Sequence, residues 1–149
     1  MPRTLTFEQN YPVDPDRLFD LVIDLDTLDA VTKPWVQFDH LPSGPVRAGQ
    51  VIDVAMSLFG LWPRQPYTMR VTECDPETRR MATLEEGMGV TRLFHELEVR
   101  DAGDGTSVLL DRVEIEAGWK TSLVAVSAWL LYRWRHHIRM RLLDAAQKL

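Results

Sequence analysis

The sequence has little of what several protein classes depend on. Its 149 residues include one cysteine, Cys74, which excludes a disulfide within the chain and makes a reducing cytoplasm the expected compartment. No glycine-rich phosphate loop and no dinucleotide fingerprint occurs. His136 and His137 are adjacent and would point about 100° apart on a helix, which makes a poor metal pair. With no other His/Cys cluster, we predict no metal site and no cofactor.

Charge and hydropathy exclude further classes of partner. The formal net charge is −5, so nucleic-acid binding is not expected. The longest mainly apolar stretch, residues 123–132, is shorter than the roughly 20 residues that span a bilayer, so no integral membrane contact is expected. Glu8 precedes any apolar run, unlike in a signal peptide. Length and a hydrophobic content of 45% fit one domain over residues 1–149.

Residue periodicity predicts the order of the elements. Alternation over residues 4–11 predicts a first strand. Asp14 before Pro15 is typical of a helix start, and a second short helix is expected over residues 26–31. Short segments separated by turn residues then predict about six antiparallel strands, and residues 121–147 predict one long helix. The expected class is α+β, with a curved antiparallel sheet of about seven strands (β-α-α-β6-α) wrapped around that helix.

The predicted hairpin turns set a register for the later strands. Turns near residues 75–78, 87–88 and 102–104 place Met69 opposite Leu84 and His95 opposite Asp111. One face of the sheet is then mainly apolar and the other charged. The predicted inward residues are Tyr67, Met69, Val71, Ala82, Leu84, Leu93, His95, Leu97, Val99, Leu109, Asp111, Val113 and Ile115.

The last helix is expected to cover the apolar face of the sheet. Apolar residues that recur every three or four positions define its predicted inward stripe, and its basic residues are expected to point elsewhere. The stripe consists of Leu123, Val126, Leu130, Trp134, Ile138, Leu142, Ala145 and Leu149.

Four segments carry a resemblance to a known family. They are residues 13–19, Gly49 at a strand start, residues 71–76 and residues 105–114. In this order and spacing they resemble the START-like superfamily, also called SRPBCC or polyketide cyclase/dehydrase-like, over nearly the whole chain. Bacterial ligand-binding members are the most similar in pattern, on His95-Glu96 and on Gly105-Thr106 followed by Asp111.

The resemblance implies a helix-grip fold with a deep cavity between the sheet and the last helix. Members bind lipids, polyketides, hormones or quinones, and a minority catalyse cyclisation or aromatisation. Apolar residues at the predicted inward positions Ala82, Leu84, Leu93 and Leu97 indicate a mainly apolar pocket here.

His95 and Asp111 are the ionisable residues in the middle of the predicted apolar face. They can form a structural pair, orient a polar group of a ligand, or act together in acid–base catalysis. Aromatic and methionine residues on the same face can be wall or ordinary core, and Trp35 can be a gate or a rim residue. The candidate ligand contacts are His95, Asp111, Tyr67, Met69, Leu84, Leu93, Met56, Trp35, Trp134 and Leu130.

Two surface features complete the sequence-based hypotheses. The apolar loop over residues 58–63 can be a lid, a membrane contact or a homodimer contact through Leu58, Phe59, Leu61 and Trp62. The basic residues after position 132 can be a solvated face or a contact for acidic phospholipid or RNA. The leading hypothesis is a carrier of a hydrophobic small molecule. A polyketide cyclase or aromatase that uses His95 and Asp111, and an interaction module, are the alternatives.

Overall fold

A computed structural model describes residues 2–33, 35–59 and 63–147 of the chain. Strand β1 (Arg3–Tyr11) is followed by the short helices α1 (Pro15–Val22) and α2 (Leu25–Thr32). A 3-10 turn, Gly118–Lys120, leads into the long helix α3 (Thr121–Gln147). The strands between are β2 (Val36–Asp39), β3 (Val51–Leu58), β4 (Gln65–Asp75), β5 (Arg80–Gly87), β6 (Val90–Gly103) and β7 (Thr106–Glu116).

These strands form one curled antiparallel sheet in the order β1-β7-β6-β5-β4-β3-β2. Helix α3 packs against β1 and β7, and against α2 at the far end. From β2 to β7 each strand pairs with the next strand along the chain, and β1 pairs with β7 at the other edge. The predicted α+β helix-grip architecture and its element order are confirmed.

The first helix begins where the sequence predicts it. The Asp14 side chain accepts a hydrogen bond from the Arg17 backbone N–H at 3.1 Å, and Pro15 occupies the first helical position. Leu18 and Phe19 are then fully buried under the sheet. This anchoring sets α1 and α2 across one end of the sheet.

A β-bulge in β4 changes which residues of β5 face inward. The pairing shifts between Val71, which lies opposite Thr83, and Glu73, which lies opposite Ala82. One extra residue on one strand reverses the side-chain alternation relative to its neighbour. Thr83 and Glu85 therefore face the helix. The predicted inward placement of Ala82 and Leu84 is wrong, and Leu84 lies on the outer face.

Gly87 permits the close approach that ends β5 beside β4. Its φ is +132°, and a Cβ there would lie 2.5 Å from the Pro66 carbonyl oxygen. The absence of a side chain lets Tyr67 pair directly with Gly87.

The faces of β6 and β7 agree with the sequence prediction, although the register differs. His95 lies opposite Val113, and Asp111 lies opposite Leu97. The predicted direct opposition of His95 and Asp111 is therefore wrong by two residues. A shift of two keeps both side chains on the same face, where diagonal neighbours are within reach.

The orientation of α3 differs from the predicted stripe. Leu123 and Leu130 are 67% and 41% exposed, and Val126 and Leu142 are exposed as well. Leu149 lies outside the described residues. The physical reason is that apolar residues surround the first half of the helix, so their spacing selects no single face. The buried positions are Thr121, Ala125, Tyr132, Arg139 and Leu143.

Candidate functional site

A cavity of about 150 Å³ lies between the inner face of the sheet and α3. Cavities of about this volume hold a benzene-sized molecule in other proteins. Strands β3 to β6, the helices α1 and α2, and the middle of α3 all contribute to its wall. The apolar lining includes Ile52, Met56, Tyr67, Met69, Met81, Leu93, Leu97 and Leu131.

Glu85 forms the first polar group on the cavity wall. Its carboxylate accepts hydrogen bonds from the Tyr67 hydroxyl at 2.6 Å and from the Thr83 hydroxyl at 2.9 Å. Burial, together with the neighbouring Glu85 carboxylate, raises the pKa of Tyr67 well above its ordinary value. Tyr67 therefore stays protonated and remains a donor, and the carboxylate is held between two strands.

His95 and Asp111 form the second polar group. Nε2 of His95 donates to Oδ1 of Asp111 at 2.7 Å, and the side chains belong to residues that are 8% and 3% exposed. Since an ionised carboxylate only accepts, this contact places the proton on Nε2 and leaves Nδ1 as the ring nitrogen available to a ligand. His95 lines the cavity, and Asp111 lies behind it.

Tyr132 of α3 packs against the second polar group, at His95. Its ring stacks on Phe7 with centroids 5.0 Å apart and meets the edge of His95 at 5.4 Å. The guanidinium of Arg135 lies 4.8 Å from the same ring centroid. Burial raises the pKa of Tyr132, so its phenol is neutral over the physiological range.

Two arginines of α3 extend into the cavity wall. Arg135 is half-buried and Arg139 is 5% exposed, and both line the cavity. Nε and Nη1 of Arg139, and Nε of Arg135, are buried and have no hydrogen-bond partner in the described part of the chain. Among residues 2–33, 35–59 and 63–145, neither guanidinium forms an ion pair. The wall is mainly apolar, as the sequence predicts. It also includes Arg135 and Arg139, which were expected to point away from the sheet.

Five of the predicted contacts lie on the cavity wall: His95, Tyr67, Met69, Leu93 and Met56. Asp111 is one layer further out. Whether these residues bind a ligand stays a prediction.

Four other predicted contacts do not line the cavity. Leu84 faces outward because of the bulge, and Leu130 lies on the exposed side of α3. Trp134 instead donates from its indole Nε1 to the Lys33 carbonyl at 2.8 Å, which fastens α3 to the end of α2. Trp35 packs against Phe59 and Trp134, with centroids 5.5 and 6.4 Å apart. The gating role of Trp35 stays a prediction.

The polar residues of the cavity wall that the sequence prediction missed are Asp24, Thr83, Glu85, Tyr132, Arg135 and Arg139. A signal for the last three was present, because positions 132, 135 and 139 share one helix face at spacings of three and four. Their polarity made that face resemble the solvent side. Thr83 and Glu85 had no such signal, since a bulge leaves little trace in a single sequence.

Several other features bear on the function. A larger hollow of about 420 Å³ lies on the outer face of the sheet, among the exposed ion-pair residues Arg80, Glu98 and Arg112.

Within the described part of the chain, no group of three or more His, Cys, Asp or Glu residues is arranged to hold a metal ion. None of the helices, over the described residues, is long and apolar enough to cross a bilayer. In the apolar loop, Phe59 is exposed, whereas Leu61 and Trp62 lie outside the described residues.

Sequence comparison with protein-family models and with curated proteins finds no match. Solved structures are similar. A protein from Chromobacterium violaceum has a TM-score of 0.74 at 13% identity, over 94% of this chain and 96% of that chain. A START superfamily protein from Mycobacterium smegmatis has a TM-score of 0.66 at 11% identity, over 94% and 98% of the two chains. The chain has the START-like fold.

The START-like fold is shared by a characterised type of enzyme. An aromatase/cyclase from Streptomyces sp. R1128 has a TM-score of 0.60 to this chain at 16% identity, over 79% of this chain and 70% of that chain. At these identities the similarity establishes the fold alone, because START-like cavities of one shape can serve different chemistries.

Proposed function

We propose that this START-like chain binds and carries a small, mainly apolar molecule in the cavity between the sheet and α3. The observation that carries the proposal is the cavity of about 150 Å³, walled by methionine, leucine and aromatic side chains together with a few polar groups. Such a wall is typical of ligand sites, where apolar area supplies affinity and a few polar groups set orientation.

The volume narrows the class of ligand. The cavity matches about one ring in size, which favours a compact cyclic molecule over a long acyl chain or an extended polyketide. Methionines 56, 69 and 81 border the cavity and can adjust their rotamers to a slightly larger ligand. The quinone-like class among the sequence-based hypotheses fits this volume better than the lipid-like class.

Acid–base catalysis is the second candidate function. The buried His95–Asp111 pair, with a 2.7 Å contact that orients the imidazole, supports it. The similarity to an aromatase/cyclase is in keeping with this candidate. One observation counts against catalysis. The Glu85 carboxylate on the same wall already accepts hydrogen bonds from two hydroxyl groups, so it does not provide a second acid–base group to work with His95.

A titration with toluene tests carriage directly. In ¹⁵N-labelled protein, we expect saturable shifts of backbone amides around the cavity, such as those of Tyr67, Thr83 and Tyr132. Ala128→Phe places a ring in the cavity and should abolish them, because Ala128 lines its wall. Ala145→Phe, at an exposed position of the same helix, is the matched control and should bind normally. Shifts that do not saturate, or equal binding by Ala128→Phe, would contradict the proposal.

The same protein can be tested for catalysis with acetophenone in D₂O. If His95 removes a proton from the methyl group next to the carbonyl, solvent deuterium replaces it, and His95→Gln should abolish the exchange. No acceleration over buffer would leave carriage as the function. The cytoplasmic location and a homodimer through Leu58 and Phe59 remain proposals, and light scattering of the protein in solution decides the latter.

A further inference from the structure

Arg139 is a buried cation that forms no ion pair with any of the described residues. The residue is 5% exposed, and its Nε and Nη1 are buried without hydrogen-bond partners among the described residues. Burial raises the pKa of Tyr11, although the adjacent Arg139 guanidinium acts to lower it. The phenol is therefore neutral and can offer Arg139 a hydrogen-bond acceptor but no counter-charge. A guanidinium stays charged at physiological pH, so Arg139 cannot relieve burial by losing a proton. Buried donors without acceptors are strongly unfavourable. The two unpaired N–H groups of Arg139 are therefore available to an acceptor group of a bound ligand.

The carboxylates of Glu85 and Asp111 accept hydrogen bonds from residues other than Arg139. Glu85 is held by two hydroxyl donors, and Oδ1 of Asp111 is held by His95. Neither carboxylate forms an ion pair with Arg135 or Arg139 in the described structure. Oδ2 of Asp111 also has no hydrogen-bond partner among the described residues, but Asp111 lies behind His95 and does not line the cavity.

Arg135 is a second guanidinium on the cavity wall. It lies four residues before Arg139, so both project from one face of α3, and both line the cavity. Its guanidinium is held over the Tyr132 ring at 4.8 Å, which reduces the number of orientations it can adopt. Two guanidinium groups on one helix face repel each other, and an anion bound between them would relieve that repulsion.

We infer that the molecule carried in the cavity is a small cyclic carboxylic acid, with its carboxylate bound by Arg139 and Arg135 and its ring in the apolar part. The inference rests on the proposed carriage function. A guanidinium offers paired N–H donors that match the two oxygens of a carboxylate. The cavity volume limits the apolar body to about one ring.

Benzoate and benzamide provide the test, because they differ in charge and hardly in shape. Affinities are measured near neutral pH by the amide-shift titration, with toluene as the neutral reference. We expect wild-type protein to bind benzoate at least about tenfold more tightly than benzamide, as a charge-assisted contact should provide. Arg139→Met should lose this preference and still bind toluene, and Arg139→Gln serves as a second variant in case the first does not fold. Arg133→Met, an exposed arginine of the same helix, should keep the preference.

The outcomes separate this inference from the function on which it rests. If toluene binds and wild-type protein does not prefer benzoate, the anion site is refuted and carriage stands. If the preference survives in the Arg139 variants, the assignment to Arg139 is overturned. If neither toluene nor benzoate binds, carriage and the anion site fail together.

Discussion

Replacing His95 should leave the buried Asp111 carboxylate without its hydrogen-bond donor. The His95–Asp111 pair therefore offers a direct test of the site by stability measurements. Asp111 is 3% exposed, and its one hydrogen bond among the described side chains runs from His95 Nε2 at 2.7 Å. His95→Phe keeps a ring against Tyr132 and leaves both carboxylate oxygens without a donor. Asp111→Leu removes the acceptor at a similar volume, and the double variant removes both polar groups.

The expected magnitudes follow from burial. Breaking a buried pair by removing one partner costs about 3–5 kcal/mol, whereas replacing both partners by apolar groups is often nearly neutral. For a domain of this size each kcal/mol lowers Tm by about 2–4 °C, so His95→Phe should lower Tm by about 6–20 °C. The double variant should recover at least about 2 kcal/mol of the loss.

Urea unfolding followed by circular dichroism measures all four proteins of this cycle, and coincident transitions at two wavelengths check that each protein unfolds in one step. The exposed pair Arg80–Glu98, with its 3.6 Å contact, is the control and should show a coupling of about 0.2–1 kcal/mol. A coupling for His95 and Asp111 below about 0.5 kcal/mol would show that the contact contributes nothing and would refute the reasoning.

Two further predictions concern α3. Leu143→Ala should cost about 2–5 kcal/mol of unfolding free energy because Leu143 is buried, whereas Leu130→Ala should change it by less than about 0.5 kcal/mol; equal losses in urea unfolding would mean that the helix faces the other way. Burial, Arg139 and His137 lower the pKa of His136, whose ring also contacts Tyr11 of β1 at 4.8 Å. The unfolded chain therefore binds the proton first, so stability should fall as pH drops below the unfolded value of about 6.5. His136→Phe should flatten that slope in melts across the range, and an unchanged slope would contradict the assignment.

Local patterns in the sequence were enough to predict the succession of elements. Alternation in β1, the Asp14-Pro15 helix start and the turn residues between strands are short-range signals, because backbone conformation there depends on neighbours within a few residues. The faces of β4, β6 and β7 followed from the same alternation. That alternation is sufficient to place His95 and Asp111 on one face, even though it leaves the exact register open.

The polar groups of the cavity, in contrast, depend on long-range packing. The bulge beside Val71 turned Thr83 and Glu85 inward, and a single inserted residue leaves the local pattern intact while it reverses every side chain beyond it. The apolar residues around α3 could not select a face by themselves. Packing against the polar inner groups of the sheet brought Tyr132, Arg135 and Arg139 inward and left Leu130 in solvent, because the facing sheet, and not hydrophobic spacing, determines which side of such a helix is buried.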